Sequence, residues 1–237
     1  MKIALIGYGK MGREIESVAL GRGHEIVLKV NSQNPNFSID ELRKAEVAIE
    51  FSKPDFVIGN IKSCFNAGVP VVIGTTGWYN HYEQIKKICW DNNQCMLAAT
   101  NFSIGVNIFF ELSKRLAEMM NDHWEYDVII DEIHHTQKLD APSGTAITIA
   151  EGIMEKLERK DKWVNEKDNV DNHLNIFSHR IDNIPGTHVV KYTSPIDDIE
   201  IKHTAHNRKG FAMGAVVAAE WIAGKKGVFT MKDVLKL

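Results

Sequence analysis

Cysteine is scarce in this chain. Its 237 residues include only three cysteines, Cys64, Cys89 and Cys95, and none of them belongs to a Cys-x-x-Cys pair. A small, odd number without regular spacing argues against a disulfide framework. We therefore expect three reduced, buried thiols, as in a cytoplasmic protein.

Long apolar runs and an excess of positive charge are also missing. No segment approaches the roughly 18 apolar residues of a membrane span, and the initial MKIALIGYGK is too short in apolar residues for a secretion signal. The net charge of −3 gives no overall basic field for nucleic acid. The composition thus predicts a cytoplasmic protein that binds neither membrane nor nucleic acid, and any anion site must be built locally.

The first hundred residues alternate between strand-like and helical segments. Apolar runs typical of strands lie at 2–6, 24–30, 45–52, 69–77 and 94–100, and helical spacing follows several of them, for example at 54–67. This alternation predicts an α/β fold of Rossmann type, a doubly wound parallel sheet with helices on both faces.

The pattern changes after residue 107. Helical stretches at 108–120 and 145–157 flank a strand-like EYDVIIDEIHH at 125–135, and three further strand-like segments follow residue 172. Strands that succeed one another predict an α+β domain with a mixed sheet. The charged segment 158–172 between them is interpreted as a solvated loop.

Glycines 7, 9 and 12 form a G-x-G-x-x-G motif, GYGKMG, directly after the first strand. The first glycine permits a tight turn, the second lets the backbone approach a pyrophosphate, and the third lets helix and strand pack closely. Free N–H groups at the start of the helix favour the anion. The turn therefore predicts dinucleotide binding by Gly7, Tyr8, Gly9, Lys10, Met11 and Gly12.

The second strand lacks the acid that commonly binds the ribose hydroxyls. Asn31 and Ser32 stand in its place, so nothing there repels a 2′-phosphate, and Lys10 could offset the phosphate charge. We expect NADPH, NADH or both as cofactor, with Ser32 at the ribose.

Two further turns follow parallel strands and should lie at the same edge of the sheet, where ligands of such sheets bind. They are Gly74, Thr75 and Thr76, and Thr100, Asn101 and Phe102. We expect them to contact the nicotinamide and its ribose.

The segment from Asp131 to Ile153, DEIHHTQKLDAPSGTAITIAEGI, concentrates donors and positive charge. A metal site is disfavoured because adjacent strand residues point to opposite faces and the spacing is not H-E-x-x-H. An anion site fits better: Ser143, Gly144 and Thr145 open a helix, and Lys138 adds a charge. A histidine there can also deliver a proton in a reduction.

The run HHTQKLDAPSGTA resembles the signature of the 4-hydroxy-tetrahydrodipicolinate reductase (dihydrodipicolinate reductase) family of lysine and diaminopimelate synthesis. GYGKMG, GTTG, ATNFSIGVN, IPGTH and HNRKGFAMGA occur in the same order as in that family, so the resemblance spans essentially the whole chain. It implies reduction of a cyclic dicarboxylate, 4-hydroxy-tetrahydrodipicolinate, by NADH or NADPH with loss of water.

The resemblance also implies residue roles and an organisation. Residues 1–104 and 208–237 would form the dinucleotide-binding domain, and 105–207 would form a substrate-binding domain whose sheet joins a homotetramer. His134 and Lys138 would be catalytic. The family's substrate contacts match His135, Gly144 and Thr145, and its cofactor contacts match the 7–12 turn, Gly74 to Thr76, and Ala99, Thr100, Asn101 and Phe102.

Two other functions compete with this one. A different two-domain reductase of the aspartate pathway would be expected to lack the His-His-x-x-Lys and Pro-Ser-Gly-Thr pair. A non-catalytic redox sensor would bind the nucleotide without consuming it, which leaves His134 and Lys138 without a purpose.

Overall fold

The structure is a computed structural model that describes residues 1–166, 169–207 and 209–237. The strands are β1 (Lys2–Ile6), β2 (Glu25–Val30), β3 (Val47–Glu50), β4 (Val71–Ile73), β5 (Cys95–Ala98), β6 (Asp127–His134), β7 (Lys162–Val164), β8 (His173–Arg180), β9 (Gly186–Thr193), β10 (Asp198–Ala205) and β11 (Gly227–Phe229). The helices are α1 (Lys10–Gly21), α2 (Ile39–Leu42), α3 (Pro54–Ala67), α4 (Tyr82–Asp91), α5 (Ile104–Met119), α6 (Gly144–Met154), α7 (Lys209–Ile222) and α8 (Met231–Leu235).

The chain divides into two compact units. The first comprises Met1–Ile104 together with Lys209–Leu237, and the second is the chain between them, beginning at Gly105. Among the described residues, no helix is long and apolar enough to cross a membrane.

The first unit contains a six-stranded sheet in the order β11-β5-β4-β3-β1-β2, and every neighbouring pair is parallel. One apolar cluster packs α1, α7 and α8 on one face, and a second packs α2, α3 and α4 on the other. Because all strands run the same way, the turns after β1, β3, β4 and β5 lie at one edge. The predicted Rossmann-type fold is confirmed.

The second unit contains a mixed five-stranded sheet in the order β10-β9-β6-β8-β7. The central strand β6 runs parallel to β8 and antiparallel to β9. Helices α5 and α6 cover one face, where Phe109, Ile149 and Ile153 pack against Ile130 and Val190.

The prediction of a solvated loop at 158–172 was wrong in part. Residues Lys162–Val164 form β7, which pairs in parallel with β8. Lys160 is only 4% exposed, and its ammonium group donates to the carbonyls of Asp171 and His173 and contacts Asp127 at 2.7 Å. A charged pattern concealed a buried lysine because its partners are backbone oxygens, which the sequence pattern does not show. Residues 167 and 168 lie outside the described part of that segment.

Candidate active site

Each glycine of the GYGKMG turn has a different surrounding. Gly7 has φ of +101°, and a Cβ there would lie 2.1 Å from the carbonyl oxygen of Phe51. A Cβ on Gly12 would lie 2.5 Å from the Gly7 oxygen, whereas one on Gly9 would meet no atom within 4 Å. Two of the glycines are therefore required by packing, and the third leaves open space at the start of α1, where a ligand can approach the backbone.

Tyr8 and Lys10 lie in the same turn, but Tyr8 contacts other side chains whereas Lys10 is exposed to solvent. The Tyr8 hydroxyl donates to Glu16 in α1, and the Lys29 ammonium group lies 5.0 Å from the centre of the Tyr8 ring. Lys29 also pairs with Glu16 at 2.5 Å and, through that contact, holds the pKa of Glu16 below its ordinary value. Lys10 is exposed at the first position of α1.

The turn after β2 carries the predicted ribose residue. Asn31 accepts hydrogen bonds from the backbone N–H groups of Gln33 and Asn34 at 2.9 and 2.8 Å, so its carboxamide stabilises the turn itself. Ser32 is exposed beside it. No carboxylate stands at this position.

A cavity of about 220 Å³ opens at the same edge of the sheet. It is lined by Met11, Phe51, Ser52, Pro54, Gly74, Thr75 and Thr76. A Cβ on Gly74 would lie 2.1 Å from the Phe51 ring, so the ring fills the space that a side chain would need. Met11, from the turn after β1, and Gly74 to Thr76, from the turn after β4, were predicted to bind the cofactor and line this cavity together. Phe51 and Ser52 also line it but were not predicted.

The turn after β5 is divided between surface and core. Ala99 and Asn101 are half-buried and Thr100 is exposed, but Phe102 is 2% exposed and packs in the core with its ring 5.6 Å from that of Phe51. The Asn101 side chain accepts from the Ser103 N–H at 2.9 Å. The Phe102 side chain thus supports the turn from below.

A buried acid lies behind this cavity and was not predicted. Glu50 ends β3 with 0% exposure and accepts hydrogen bonds from the Ser52 hydroxyl and, at 3.0 Å, from the Asn60 amide. The Ser52 N–H in turn donates to the Thr75 hydroxyl at 2.7 Å. Burial raises the pKa of Glu50, although these neighbours act in the opposite direction.

In the second unit, His134 ends β6 and faces Glu132. His134 is 8% exposed and Glu132 is 0% exposed, and their Nδ1 and Oε2 atoms are 2.7 Å apart. Burial alone would raise the pKa of Glu132, but contacts from His134, Ser178 and Ser143 hold it below its ordinary value. The Glu132 carboxylate is therefore a fixed negative charge next to the histidine.

His188 on β9 completes this buried group. Its ring meets that of His134 edge-on at 5.1 Å, and burial together with nearby His134 lowers the pKa of His188 to about 3. Ligand atoms of Glu132, His134 and His188 lie within 4.8 Å of one another, a set that could be considered for a metal ion. However, two zinc ligands at tetrahedral positions are about 3.3 Å apart, so the 2.7 Å separation of Glu132 Oε2 and His134 Nδ1 is too short for two ligands of one zinc ion.

The segment after β6 is fixed by Arg180 at the end of β8. The guanidinium group donates to Glu132 Oε1 at 3.1 Å, to the Asp140 carbonyl at 2.6 Å and to the Lys138 carbonyl at 3.3 Å. The Lys138 ammonium group contacts both oxygens of the exposed Asp140 carboxylate, at 2.8 and 2.9 Å. This contact holds the pKa of Asp140 below its ordinary value. A ligand carboxylate can therefore replace Asp140 as the partner of Lys138 without uncovering a buried charge.

Helix α6 begins at Gly144, with Ser143 as its N-cap. The Ser143 hydroxyl accepts from the Ala146 N–H at 3.1 Å and contacts His188 Nε2 at 3.1 Å. The Ser143 N–H donates to Glu132 Oε1 at 3.2 Å. Ser143 is thus engaged inside the protein, whereas Gly144 is exposed and Thr145 is half-exposed at the first turn.

His135 differs from its neighbour in sequence. It lies just beyond β6 and is half-buried, and among the described residues its Nδ1 atom has no hydrogen-bond partner. The structure brings His134, Ser143 and the segment from Lys138 to Asp140 together around Glu132, and it adds Arg180 and His188. Glu132, Arg180 and His188 were not predicted as site residues, although alternation along β6 places Glu132 on the face of His134.

Comparison with known proteins extends this description to the whole chain. Residues 1–102 match the family model described as "Dihydrodipicolinate reductase, N-terminus", and residues 105–235 match "Dihydrodipicolinate reductase, C-terminus". A 4-hydroxy-tetrahydrodipicolinate reductase of Christiangramia forsetii is 49% identical over 236 residues, covering 99% of this chain and 98% of the relative. One of Thermosipho africanus is 35% identical over 239 residues, covering 100% and 98%.

A solved structure agrees with these sequences. The dipicolinate-bound dihydrodipicolinate reductase from Paenisporosarcina sp. TG-14 is 26% identical, covers 97% of each chain and superposes with a TM-score of 0.77. The similarity to this family therefore extends over nearly the whole chain. The chain belongs to the dihydrodipicolinate reductase family.

Proposed function

We propose that this chain reduces 4-hydroxy-tetrahydrodipicolinate to tetrahydrodipicolinate, using NADH or NADPH, in lysine and diaminopimelate synthesis. The observation that carries the proposal is the 49% identity over the full chain with a 4-hydroxy-tetrahydrodipicolinate reductase. In this reaction the ring loses its hydroxyl group as water, and a hydride and a proton supply the balance. A reductase of this family is an NAD(P)H-dependent oxidoreductase.

The nicotinamide cofactor, when bound, supplies the hydride. We assign its pyrophosphate to the turn from Gly7 to Gly12, where Gly9 leaves the backbone open and α1 begins. Gly74, Thr75 and Thr76, with Ala99, Thr100 and Asn101, would surround the nicotinamide and its ribose, and Phe102 would support them from the core. The fit of the cavity beside Met11 and Phe51 supports this assignment.

Both NADH and NADPH should serve. Ser32 and Asn31 place no negative charge at the end of β2, so a 2′-phosphate meets no repulsion, and Lys10 stands exposed in the neighbouring turn. Measurement of kcat/KM with each nucleotide tests this. A preference for NADH above about a hundredfold, equal to about 2.7 kcal/mol, would contradict it.

His134 and Lys138 are the groups that we assign to proton transfer. Glu132 occupies the Nδ1 side of His134, which leaves Nε2 as the ring atom that can exchange a proton with the substrate. Lys138 would stabilise negative charge on the ring or a carboxylate, in place of Asp140. Gly144 and Thr145 would bind a carboxylate through backbone N–H groups, with Ser143 forming the helix end and His135 as a further contact.

The test follows nicotinamide absorbance while the preceding synthase supplies fresh substrate. His134→Gln and Lys138→Met should each lower kcat by about 10² or more, within the usual range for acid–base groups. His123→Gln and Lys156→Met, outside the site, are matched controls and should retain full turnover. Absence of oxidation with both nucleotides would defeat the proposed reaction, and normal turnover in either site variant would defeat only the assigned role.

We also propose that the chain forms a homotetramer through the outer face of the second sheet. On that face, half-buried Ile129 and Ile133 of β6 lie beside Phe177 of β8, with no helix of the described core packed on them. Burial of these side chains against a second copy would remove them from water. Light scattering should give four times 26.7 kDa, and Phe177→Asp should dissociate the assembly. A monomeric parent protein would contradict the proposal.

A cytoplasmic location is proposed on the state of the thiols. Cys64, Cys89 and Cys95 are all buried and unpaired, and burial raises the pKa of Cys89 and Cys95 to about 11. Such thiols are typical of proteins kept in a reducing compartment. Cell fractionation tests the location, and recovery outside the cytoplasm would contradict it.

A further inference from the structure

We propose that Glu132 is a positioning residue of the reductase, whose buried carboxylate fixes His134 by Nδ1 and at the same time anchors the first turn of α6. The inference rests on the proposed function and deepens it, because it assigns the charge that makes His134 an effective acid. Glu132 itself does not touch the reacting atoms; it acts through His134 and Ser143.

The two carboxylate oxygens have separate partners. Oε2 lies 2.7 Å from His134 Nδ1, close enough for an electrostatic contact although the two atoms do not meet the geometry of a hydrogen bond. Oε1 accepts from the Ser143 N–H at 3.2 Å and from the Arg180 guanidinium at 3.1 Å. One side chain therefore links the proton donor, the N-cap of the carboxylate-binding helix and the end of β8. A neutral side chain of the same shape would keep the Oε1 contacts but lose the charge.

The fixed charge of Glu132 matters because His134 must be positively charged to donate. Arg180 on β8 and Lys138 in the following segment are cations, and His188 on β9 is neutral near pH 7 since burial lowers its pKa to about 3. Glu132 is thus the one anion buried among these groups in the described chain. Its carboxylate places a negative charge beside the imidazole, in a group that also contains two cations.

A positional requirement accompanies the charge. His134 is packed against Gly186, where an added Cβ would lie 3.0 Å from Nε2, and edge-on against His188. The ring is therefore packed on two sides, and Glu132 Oε2 lies next to its Nδ1 atom. The carboxylate and the packing together prepare Nε2 for the ligand.

Glu132→Gln is the central variant, with Glu151→Gln on the exposed surface of α6 as the matched control. We expect kcat to fall at least tenfold with little change in the KM for NADH or NADPH. The alkaline limb of the kcat profile should move to lower pH by about one pH unit, because an opposite charge has been removed. The inhibition constant of dipicolinate, used as a non-reacting dicarboxylate probe, should change less than threefold.

Two further measurements separate positioning from a structural role. In a His134→Gln background, Glu132→Gln should lower kcat little further, because the effects of two residues that act through one another are not additive. Glu132→Asp keeps the negative charge and should return the alkaline limb of the kcat profile to its position in the parent protein. If Glu132→Gln does not fold, kcat and the dipicolinate inhibition constant are measured in Glu132→Asp instead.

Opposite results would overturn the inference. These are an unchanged pH profile and kcat in Glu132→Gln, full additivity with His134→Gln, or dipicolinate binding lost in parallel with kcat. Failure of the proposed function has a different signature. In that case His134→Gln itself retains normal turnover, or the parent chain oxidises neither nucleotide.

Discussion

Alanine substitutions at Gly9 and Gly12 of the GYGKMG turn separate two roles of glycine, close packing and access of a ligand to the backbone. Gly12→Ala would place a methyl group 2.5 Å from the carbonyl oxygen of Gly7, a backbone atom that cannot rotate away as a side chain can. Gly9→Ala would place one where no atom lies within 4 Å, at a negative φ of −95°. The first change should therefore act on folding and the second on cofactor binding.

The magnitudes follow from opposing effects. Alanine gains up to about 1 kcal/mol of helix propensity over glycine, whereas overpacking costs about 1–3 kcal/mol. Gly12→Ala should then be destabilised by up to about 2 kcal/mol, which for a chain of this size lowers Tm by roughly 2–8 °C. Gly9→Ala should shift the unfolding free energy by less than about 1 kcal/mol. Its methyl group, however, occupies the space next to the pyrophosphate, and KM for both nucleotides should rise at least about tenfold, equal to 1.4 kcal/mol.

Thermal unfolding without ligand and nucleotide titration by calorimetry measure the two effects separately. Gly21→Ala is the matched control, since it lies at the other end of α1 and also meets no atom within 4 Å. Normal nucleotide affinity in Gly9→Ala would refute the assignment of the pyrophosphate to this turn. Unchanged Tm in Gly12→Ala would refute the packing argument.

Three further substitutions probe buried polar groups. Because burial raises the pKa of Glu50, the folded state retains its proton longer than the unfolded chain, so stability is lost as pH rises from the ordinary value through the raised one. Glu50→Gln should remove this loss, at about 1.4 kcal/mol for each pKa unit, and the Tm advantage of the variant should grow as the pH rises above 4.5; a constant difference would contradict it. Ser143→Ala removes the bond to the Ala146 N–H and should cost about 1 kcal/mol in urea unfolding, and an unchanged midpoint would show that the cap is dispensable. Lys160→Met leaves three oxygens without their donor and should cost about 1–3 kcal/mol, whereas the exposed Lys162→Met should cost nothing measurable, and equal effects would refute the argument.

The local sequence pattern was sufficient to predict where several strands and helices of the first unit lie. The run KIALI coincides with β1, and helical spacing from Pro54 to Ala67 coincides with α3. Residues close in sequence determine where both elements begin or end: a glycine follows β1, Pro54 starts α3, and Gly68 ends it. Short-range signals of this kind can be interpreted without the fold.

The centre of the candidate site depends on contacts that no local pattern contains. Arg180 reaches Glu132 across 48 residues, and His188 reaches Ser143 across 45. One signal was present in the sequence: period-two alternation along β6 places Glu132 on the same buried face as Ile130 and His134. A carboxylate on a face that packs against apolar side chains requires a partner, but the identity of that partner emerges only when the sheet brings β8 and β9 beside β6.

Two fully buried acids show how that partner decides the chemistry. Burial raises the pKa of Glu50, which accepts from Ser52 and Asn60, whereas contacts from His134, Ser178 and Ser143 lower the pKa of Glu132, although neither side chain has exposed surface. The contacts around Glu132 therefore outweigh the effect of its burial, whereas those around Glu50 do not. The same glutamate-to-glutamine substitution should therefore have different effects in the two units. At Glu132 it removes the negative charge beside His134, and at Glu50 it removes a carboxylate whose charged form burial disfavours, so the effect should fall on turnover in the first case and on stability in the second.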